Sequence, residues 1–422
     1  MKTILLTAYA VNPYKGSEDG MGWNFIHQAA LHQNIIAVTR KNNRPAIEKF
    51  LEAHPDHACQ SVTWAYYDLP YWMRFWKKGS RGALLYYLLW QVFLPLMVWR
   101  RQYQFDLAHH LNFHNDWTPS FLWLLGKPLI WGPIGHHPKV PREFILPVYG
   151  FRAWWMDRTR WMIKNWFWRF DPFLLLTVRK ANRVLSMNRS VAQKLPQVSD
   201  KQHLLPSVGT EWVEDPGINH ATGFEVLSVG RLVPLKGFDV TIRAFAAFFH
   251  RLSPQEKIGS KLTIIGDGPE KKRLQGIAFM EGVAGQVEFV PWMERSELTQ
   301  RYTNAAVFLF PSHEGAGMVV AEALSYRLPV VCFNNPGPGE LTNSQCAFQI
   351  PYGNYSTSVK SFAEALLNLH QNPYLRRKMG THARERFEER FNWTAKGRHL
   401  QRIYNQVFFS HASVHRLLPL AQ

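Results

Sequence analysis

Cysteine is nearly absent from this chain. Its three copies, Cys59, Cys332 and Cys346, form no even set and lack the spacing of metal ligands. That excludes a disulfide-stapled scaffold and a cysteine zinc site, and it points to a reduced, cytoplasmic setting. Also missing is any Asp-x-Asp pair, so no carboxylate motif for a divalent cation stands in the sequence and no metal is expected. No segment repeats and none is of low complexity, which excludes solenoids and arrays. Charged residues make up only 19% of the chain against 46% hydrophobic, the balance of a globular protein. The opening MKTILLTAYAVNPYKG has a short apolar run without a small-residue cleavage site, and is expected as a first β-strand rather than a signal peptide.

Acid is the scarcer charge: 31 Asp and Glu stand against 49 Lys and Arg, for a net charge of +18. The excess is lopsided. Residues 1–210 hold 26 basic and 12 acidic residues, and 14 of the 17 tryptophans. Basic and aromatic residues concentrated in one half suit an anionic, partly apolar partner. A membrane face fits, and so does single-stranded nucleic acid. Two stretches carry the bias. Ala83–Trp99 (ALLYYLLWQVFLPLMVW) is uncharged throughout and flanked by Arg74, Lys77, Lys78 and Arg81 on one side and Arg100 and Arg101 on the other. It is short for a membrane span and basic at both ends. Three readings stand: a span, a helix lying in the membrane interface or capping a groove, and a buried helix. Phe151–Phe170 mixes five tryptophans with five basic residues, and membrane or acceptor contact is expected there.

At 422 residues the chain is too long for one ordinary core, so two domains are expected. Both halves alternate strand-like and helix-like segments, the grammar of parallel βαβ units. In the first half, Lys2–Tyr9, Ile35–Thr39, Asp106–His109, Pro128–Trp131 and Asn182–Met187 read as strands. A glycine-rich loop follows the first strand, and Gly22–His32 is helix-like. In the second half, Phe224–Gly230, Lys261–Gly266, Gln286–Val290, Ala306–Phe310 and Pro329–Phe333 read as strands, with a domain boundary near Pro206–His220. The last helices, Ser358–His370, Tyr374–Phe391 and Thr394–Phe408, are charged and amphipathic.

The stretch SHEGAGMVVAEAL, following the strand Ala306–Phe310, places Glu314 before a glycine loop and Glu322 about two turns into a helix. A helix N-terminus offers unpaired N–H groups and a positive dipole end, and Gly315 and Gly317 let a ligand approach the backbone. A pyrophosphate suits that turn. Carboxylates on either side would accept hydrogen bonds from sugar hydroxyls, and the order hexose, pyrophosphate, ribose is that of a sugar nucleotide. After the strand FEVLSVG come Gly230-Arg231-Leu232 and Lys236-Gly237, two cations at a strand's carboxyl end able to neutralise a diphosphate.

Together GRL-x3-KG, IGDGPE, VEFVPW, FLFPSHEGAGMVVAEAL and LPVV resemble the nucleotide-binding domain of family-4-type retaining glycosyltransferases of the GT-B fold, strongly over Val226–Tyr404. The first half resembles the family more loosely, through Gly16–Gly22, Asp106-x2-His109-His110 and Trp131–Gly135. The resemblance implies an α/β fold of two tandem Rossmann-like doubly wound domains facing across a cleft. Residues 1–208 would form the acceptor-binding domain, with the C-terminal helix (about 394–422) crossing back to it, and 209–393 the nucleotide-sugar-binding domain. It further implies that Arg231 and Lys236 hold the pyrophosphate, with Gly230 beside them. Glu314 would bind the transferred sugar, flanked by the amides of Ala316, Gly317, Met318 and Val319, and Glu322 the ribose. The loop starting at Gly16 would close over the phosphates. A first-domain histidine would contact the donor sugar; His110 is the choice, with His109, His114 and His136 as rivals. Adjacent strand residues face opposite ways, so only one of His109 and His110 can serve. The chain departs from the family at Ala316, where phenylalanine is frequent, and at Pro291, which cannot donate a backbone hydrogen bond.

The expected function is transfer of a sugar, with retention, from a nucleotide-sugar to a lipid-linked or envelope or exopolysaccharide glycan. It would take place at the cytoplasmic face of the membrane, on an enzyme peripherally held by anionic lipid and needing no cofactor. An epimerase or phosphorylase on the same fold and a basic nucleic-acid binder are the alternatives. The basic segments carry no nucleic-acid recognition fold, so no nucleic-acid partner is expected.

Overall fold

A computed structural model shows two α/β units. It describes residues 1–79, 81–111, 115–217 and 223–416. One unit comprises Met1–His136, Met162–Ser207 and the stretch from Trp393 onward; the other comprises His137–Trp161 and Val208–Asn392. Residues 137–161 lie within the stretch expected as the first domain, 1–208, but group with the second unit. The reason is visible in their contacts. Phe144 is buried among Phe333, Tyr352 and Tyr355, and Tyr149 donates to Glu270 and accepts from Arg273.

The first unit is built on strands β1 (Thr3–Thr7), β2 (Asn34–Thr39), β3 (Thr63–Tyr66), β4 (Leu107–His110), β5 (Leu129–Ile134), β6 (Arg183–Ser186) and β7 (Gln202–Leu204). Their order is β3-β2-β1-β4-β5-β6-β7, all parallel. The second sheet holds β8 (Phe224–Val229), β9 (Ser260–Ile265), β10 (Val287–Val290), β11 (Val307–Phe310), β12 (Val330–Phe333) and β13 (Ala347–Ile350) in the order β10-β9-β8-β11-β12-β13, again all parallel. Each order reverses once, between β1 and β4 and between β8 and β11, which defines a doubly wound sheet. Central strands such as FEVLSV and VFLF are buried along their whole length because helices cover both faces. β3, β7 and β13 gave no clear apolar run in the sequence. They are short edge strands with partly exposed residues, so their pattern is weak.

The helix Trp393–Arg416 belongs to the first unit, where Leu400, Ile403, Tyr404 and Val407 join the core formed by Ile4, Leu6, Phe25 and Ile26. Within it Lys396 is buried, with its ammonium donating to the Pro206 carbonyl. Burial pushes its pKa down to about 7. Below pH 7 both folded and unfolded chains carry the proton, and the buried charge costs stability in full. Between pH 7 and the ordinary lysine value the unfolded chain holds more protons, so stability from this group rises with pH. Lys396→Met should therefore exceed the wild type in stability most at pH 6. The gap should narrow by roughly 2 kcal/mol by pH 9 in paired urea titrations.

Candidate active site

In the second unit, β8 and β11 are the neighbours at the reversal of strand order, the place where doubly wound sheets bind ligands. Beyond β8 the chain turns through Gly230 and Arg231 into a short 3-10 turn, Pro234–Lys236, before the helix Phe238–Phe249. Beyond β11 it runs through Pro311–Gly317 into the helix Met318–Ser325. The two loops are pressed together. The His313 amide and the Ser312 hydroxyl both donate to Leu235 O, at 2.9 and 3.3 Å. Gly237 has φ +69°, and a Cβ there would lie 2.1 Å from Pro311 O, so only glycine fits.

That contact brings the sequence's separate cation and acid together. The Lys236 ammonium donates to both Glu314 oxygens, at 2.7 and 2.8 Å, and lies 5.0 Å from the Phe310 ring centroid. Both side chains are largely shielded, 18% and 15% exposed. Arg231 is exposed and, among the described residues, forms no ion pair. The site thus holds one committed cation and one available one.

The loop carrying Glu314 is held from below. Asn335 donates to Ser312 O at 2.7 Å and accepts from the amides of Gly337 and Gly339. A Cβ on Gly337 would lie 1.9 Å from Glu314 O. His313 stacks on Phe333 and bonds the Tyr352 hydroxyl; burial takes its pKa down to about 3, so it is neutral. The Gly315 amide donates to His137 Nδ1 at 3.2 Å. The helix Met318–Ser325 starts at Gly317 with no side-chain cap, leaving its first-turn amides without one. Of the expected donor-site residues, Gly230 therefore lies on the loop leading to Lys236, Ala316 and Gly317 on the loop that carries Glu314, and Met318 and Val319 in the first turn of the helix that follows.

Glu322 sits about one turn along that helix and is half-buried. Its carboxylate accepts from the Tyr302 hydroxyl at 3.0 Å. Tyr302 stacks on Tyr326 at 5.2 Å, and Thr210, Val213, Leu298 and Thr299 complete a small cavity there. Burial and the neighbouring Glu322 charge raise the Tyr302 phenol well above its ordinary pKa. Sequence reasoning missed Tyr302, Asn335 and His137. Asn335 had a signal, the polar NNPGPG run directly after β12; the other two had none, because their partners are distant in the chain.

The first unit settles where its histidines point. His109 Nε2 donates to Gly132 O and its Nδ1 accepts from the Tyr404 hydroxyl, each at 2.8 Å; burial lowers its pKa to about 4 and keeps it neutral. His109 is thus committed to joining β4, β5 and the last helix. His110, one residue on, faces the other way and bonds the Tyr87 hydroxyl through Nε2 at 2.7 Å. His136 forms a buried pair with Asp116, Nδ1 to Oδ2 2.7 Å. His114 lies outside the described residues. The expected glycine loop after β1 needs correction. Gly16 is the N-cap of a helix, Ser17–Ala30, that begins five residues before the expected Gly22 start. Gly20 serves close packing there, since a Cβ would meet Lys15 O at 2.1 Å.

Residues 212–386 match the family model for glycosyl transferases group 1. A Haemophilus influenzae protein named as an uncharacterized glycosyltransferase is 26% identical over 213 residues, covering 50% of this chain and 55% of that one. A GDP-mannose-dependent alpha-(1-6)-phosphatidylinositol monomannoside mannosyltransferase from Mycolicibacterium smegmatis is 28% identical over 219 residues, 48% and 55% of the two chains. The chain spans about half the length of these curated relatives. A lipopolysaccharide core biosynthesis glycosyltransferase of Rhizobium meliloti is 37% identical over 116 residues, 27% of this chain and 30% of its own. Among solved structures, a glycosyltransferase from Rickettsia africae aligns with TM-score 0.63 at 14% identity, covering 96% of this chain and 98% of that one. Anabaena HepE in complex with UDP aligns with TM-score 0.62 at 16% identity, covering 96% and 100%. At such identities the likeness shows the fold, which is GT-B.

Proposed function

We propose that the chain is a retaining glycosyltransferase that moves a sugar from a nucleotide-sugar to a lipid-linked or envelope glycan. The observation that carries this reading is the Lys236–Glu314 pair beside unpaired Arg231 at the strand-order reversal of a group 1 domain. An ion pair at a ligand site is one that a donor can part. Diphosphate oxygens take the Lys236 ammonium while sugar hydroxyls donate to Glu314, so each charge exchanges one strong hydrogen bond for another. Arg231 supplies the second cation, and the amides of Ala316–Val319 face the same anion at the helix start. Glu322, steadied by Tyr302, accepts from ribose hydroxyls.

As the bond between sugar C1 and phosphate lengthens, positive charge spreads over the sugar ring and negative charge grows on the diphosphate. Arg231, Lys236 and the amides then bind more strongly than in the ground state, which lowers the barrier. The acceptor hydroxyl attacks C1 on the face the phosphate leaves, its proton passing to the departing diphosphate oxygen; this gives retention, readable as the anomeric configuration of the product. We assign charge neutralisation to these cations, without metal or cofactor. The names of the mycobacterial and rhizobial relatives, which refer to phosphatidylinositol mannoside and lipopolysaccharide core, support a membrane-borne acceptor and hence work at the cytoplasmic membrane face.

A melting screen against UDP-, GDP-, ADP- and dTDP-sugars tests the donor site. One nucleotide class at a hundredfold excess over Kd should stabilise the protein by about 2.7 kcal/mol, a rise of several degrees. An unchanged melting temperature with all four counts against a donor site.

A further inference from the structure

The helix Ala83–Arg101 is the one helix among the described residues long and apolar enough to cross a membrane by length and composition. Its packing excludes that role. Tyr86, Tyr87, Trp90, Gln91, Leu94, Pro95 and Val98 form one buried stripe in the first unit. Tyr86 donates to Asp68, Trp90 to Tyr67 O, and Tyr87 pairs with His110. A helix fastened in this way along one whole face is part of the protein's core. The opposite face is different. Leu85, Val92, Leu96 and Trp99 are exposed, Leu85 by 54% and Trp99 by 51%, and Trp72 in the preceding segment by 72%.

Cations frame this face. Arg74, Lys78 and Arg81 precede the helix, and Arg100 and Arg101 end it; among the described residues none of the five forms an ion pair. The two groups are separated by a helix of 19 residues, roughly 28 Å at 1.5 Å per residue. A spanning helix would carry one group across the bilayer, against the usual one-sided placement of positive charge. A helix lying flat puts both on the same leaflet. At its C-terminal end a surface groove of about 390 Å³ is lined by Tyr67, Phe93, Leu96, Met97, Arg100 and Arg101. Two arginines and three apolar side chains lining one groove suit a phosphate headgroup and its acyl chains.

We propose that the outer face of Ala83–Arg101 is the membrane-docking surface of the protein. It lies flat in an anionic phospholipid leaflet, with Arg100 and Arg101 on headgroup phosphates. This rests on the reading of a membrane-associated transferase and names the surface responsible. The helical stretch Phe151–Phe170 also exposes large apolar side chains, Phe151, Trp155, Met162 and Trp166 among them. It is divided between the two units, and part of its cation set is spent locally, Arg158 on Val140 O and on Asp157, so Ala83–Arg101 is the single continuous face within one unit.

The test uses the full chain and vesicles of phosphatidylcholine with or without about 30 mol% phosphatidylglycerol. Because all three native cysteines are buried, Leu96→Cys can be labelled selectively with an environment-sensitive NBD dye. Its emission should shift to the blue and brighten about twofold with anionic vesicles. The same label at exposed Ile258, in the second unit, should not respond. In flotation, Arg100→Glu/Arg101→Glu should lower vesicle partition by at least tenfold, at roughly fivefold per basic residue lost. Leu85→Ser/Leu96→Ser/Trp99→Ser should lose binding to a similar degree while melting like the wild type. If the wild type floats and these variants float equally, or the probe at 96 stays silent, the docking surface is overturned and membrane association stands. Loss in Trp155→Ser/Trp166→Ser instead would assign it to the other helix. If the wild type does not float, membrane association itself fails, whatever the donor screen reports. A probe response that grows with protein concentration without vesicles would identify a second copy as the occupant and also overturn the proposal.

Discussion

Lys236→Ala should lower the rate of sugar transfer by 100- to 1,000-fold at saturating donor, on the order of 3–4 kcal/mol, the scale seen when one preorganised donor to a developing anion is removed. Lys236 stands at the end of β8, held against Glu314 by the contact of two loops and backed by the Phe310 ring. It waits in place, so little reorganisation is needed when charge appears on the diphosphate. Its loss also strands the Glu314 carboxylate, which is only 15% exposed and, among the described residues, forms no other ion pair. Donor affinity should fall along with rate. A melting point lowered by only a few degrees, with an intact far-ultraviolet spectrum, would show that the fold survives. An unchanged transfer rate would remove Lys236 from the mechanism and weaken the whole site assignment.

Glu314→Gln should behave differently, and the contrast is the sharper test. The amide keeps the shape and can still accept a hydrogen bond, but it no longer competes with phosphate for the lysine. Transfer should drop by about 100-fold, because the sugar loses its charged acceptor. Affinity for the free nucleoside diphosphate, which has no sugar to lose, should hold or rise several-fold as Lys236 is released. Isothermal titration of the wild type and the variant with the diphosphate chosen by the melting screen reads this directly. Parallel losses in transfer and in diphosphate binding would mean that Glu314 serves to hold Lys236 and does not recognise the sugar.

Much of this site could be read in the chain before any fold was known. Glu314, the glycines after it and Glu322 are close in sequence, so strand, turn and helix place them by local geometry alone. Arg231 and Lys236 are likewise local to the end of β8. What could not be read was that the two groups meet, since Lys236 and Glu314 are 78 positions apart. Their pairing depends on β8 lying next to β11, a consequence of strand order. The glycines after β1 show the opposite error. Read as a glycine-rich loop, they form a helix start in which Gly20 permits close backbone packing.

By itself the sequence determined two parallel α/β halves, a basic and aromatic first half, and an acid-glycine-acid turn suited to a sugar nucleotide. These follow from periodicity and neighbouring residues, which act over a few positions. Only the tertiary structure decided that His109 is tied up between Gly132 and Tyr404, that Tyr302 steadies Glu322, and that one face of Ala83–Arg101 is buried while the other is bare. Each of those depends on side chains brought together from distant parts of the chain, and on burial that removes water. Neither is encoded in any short stretch.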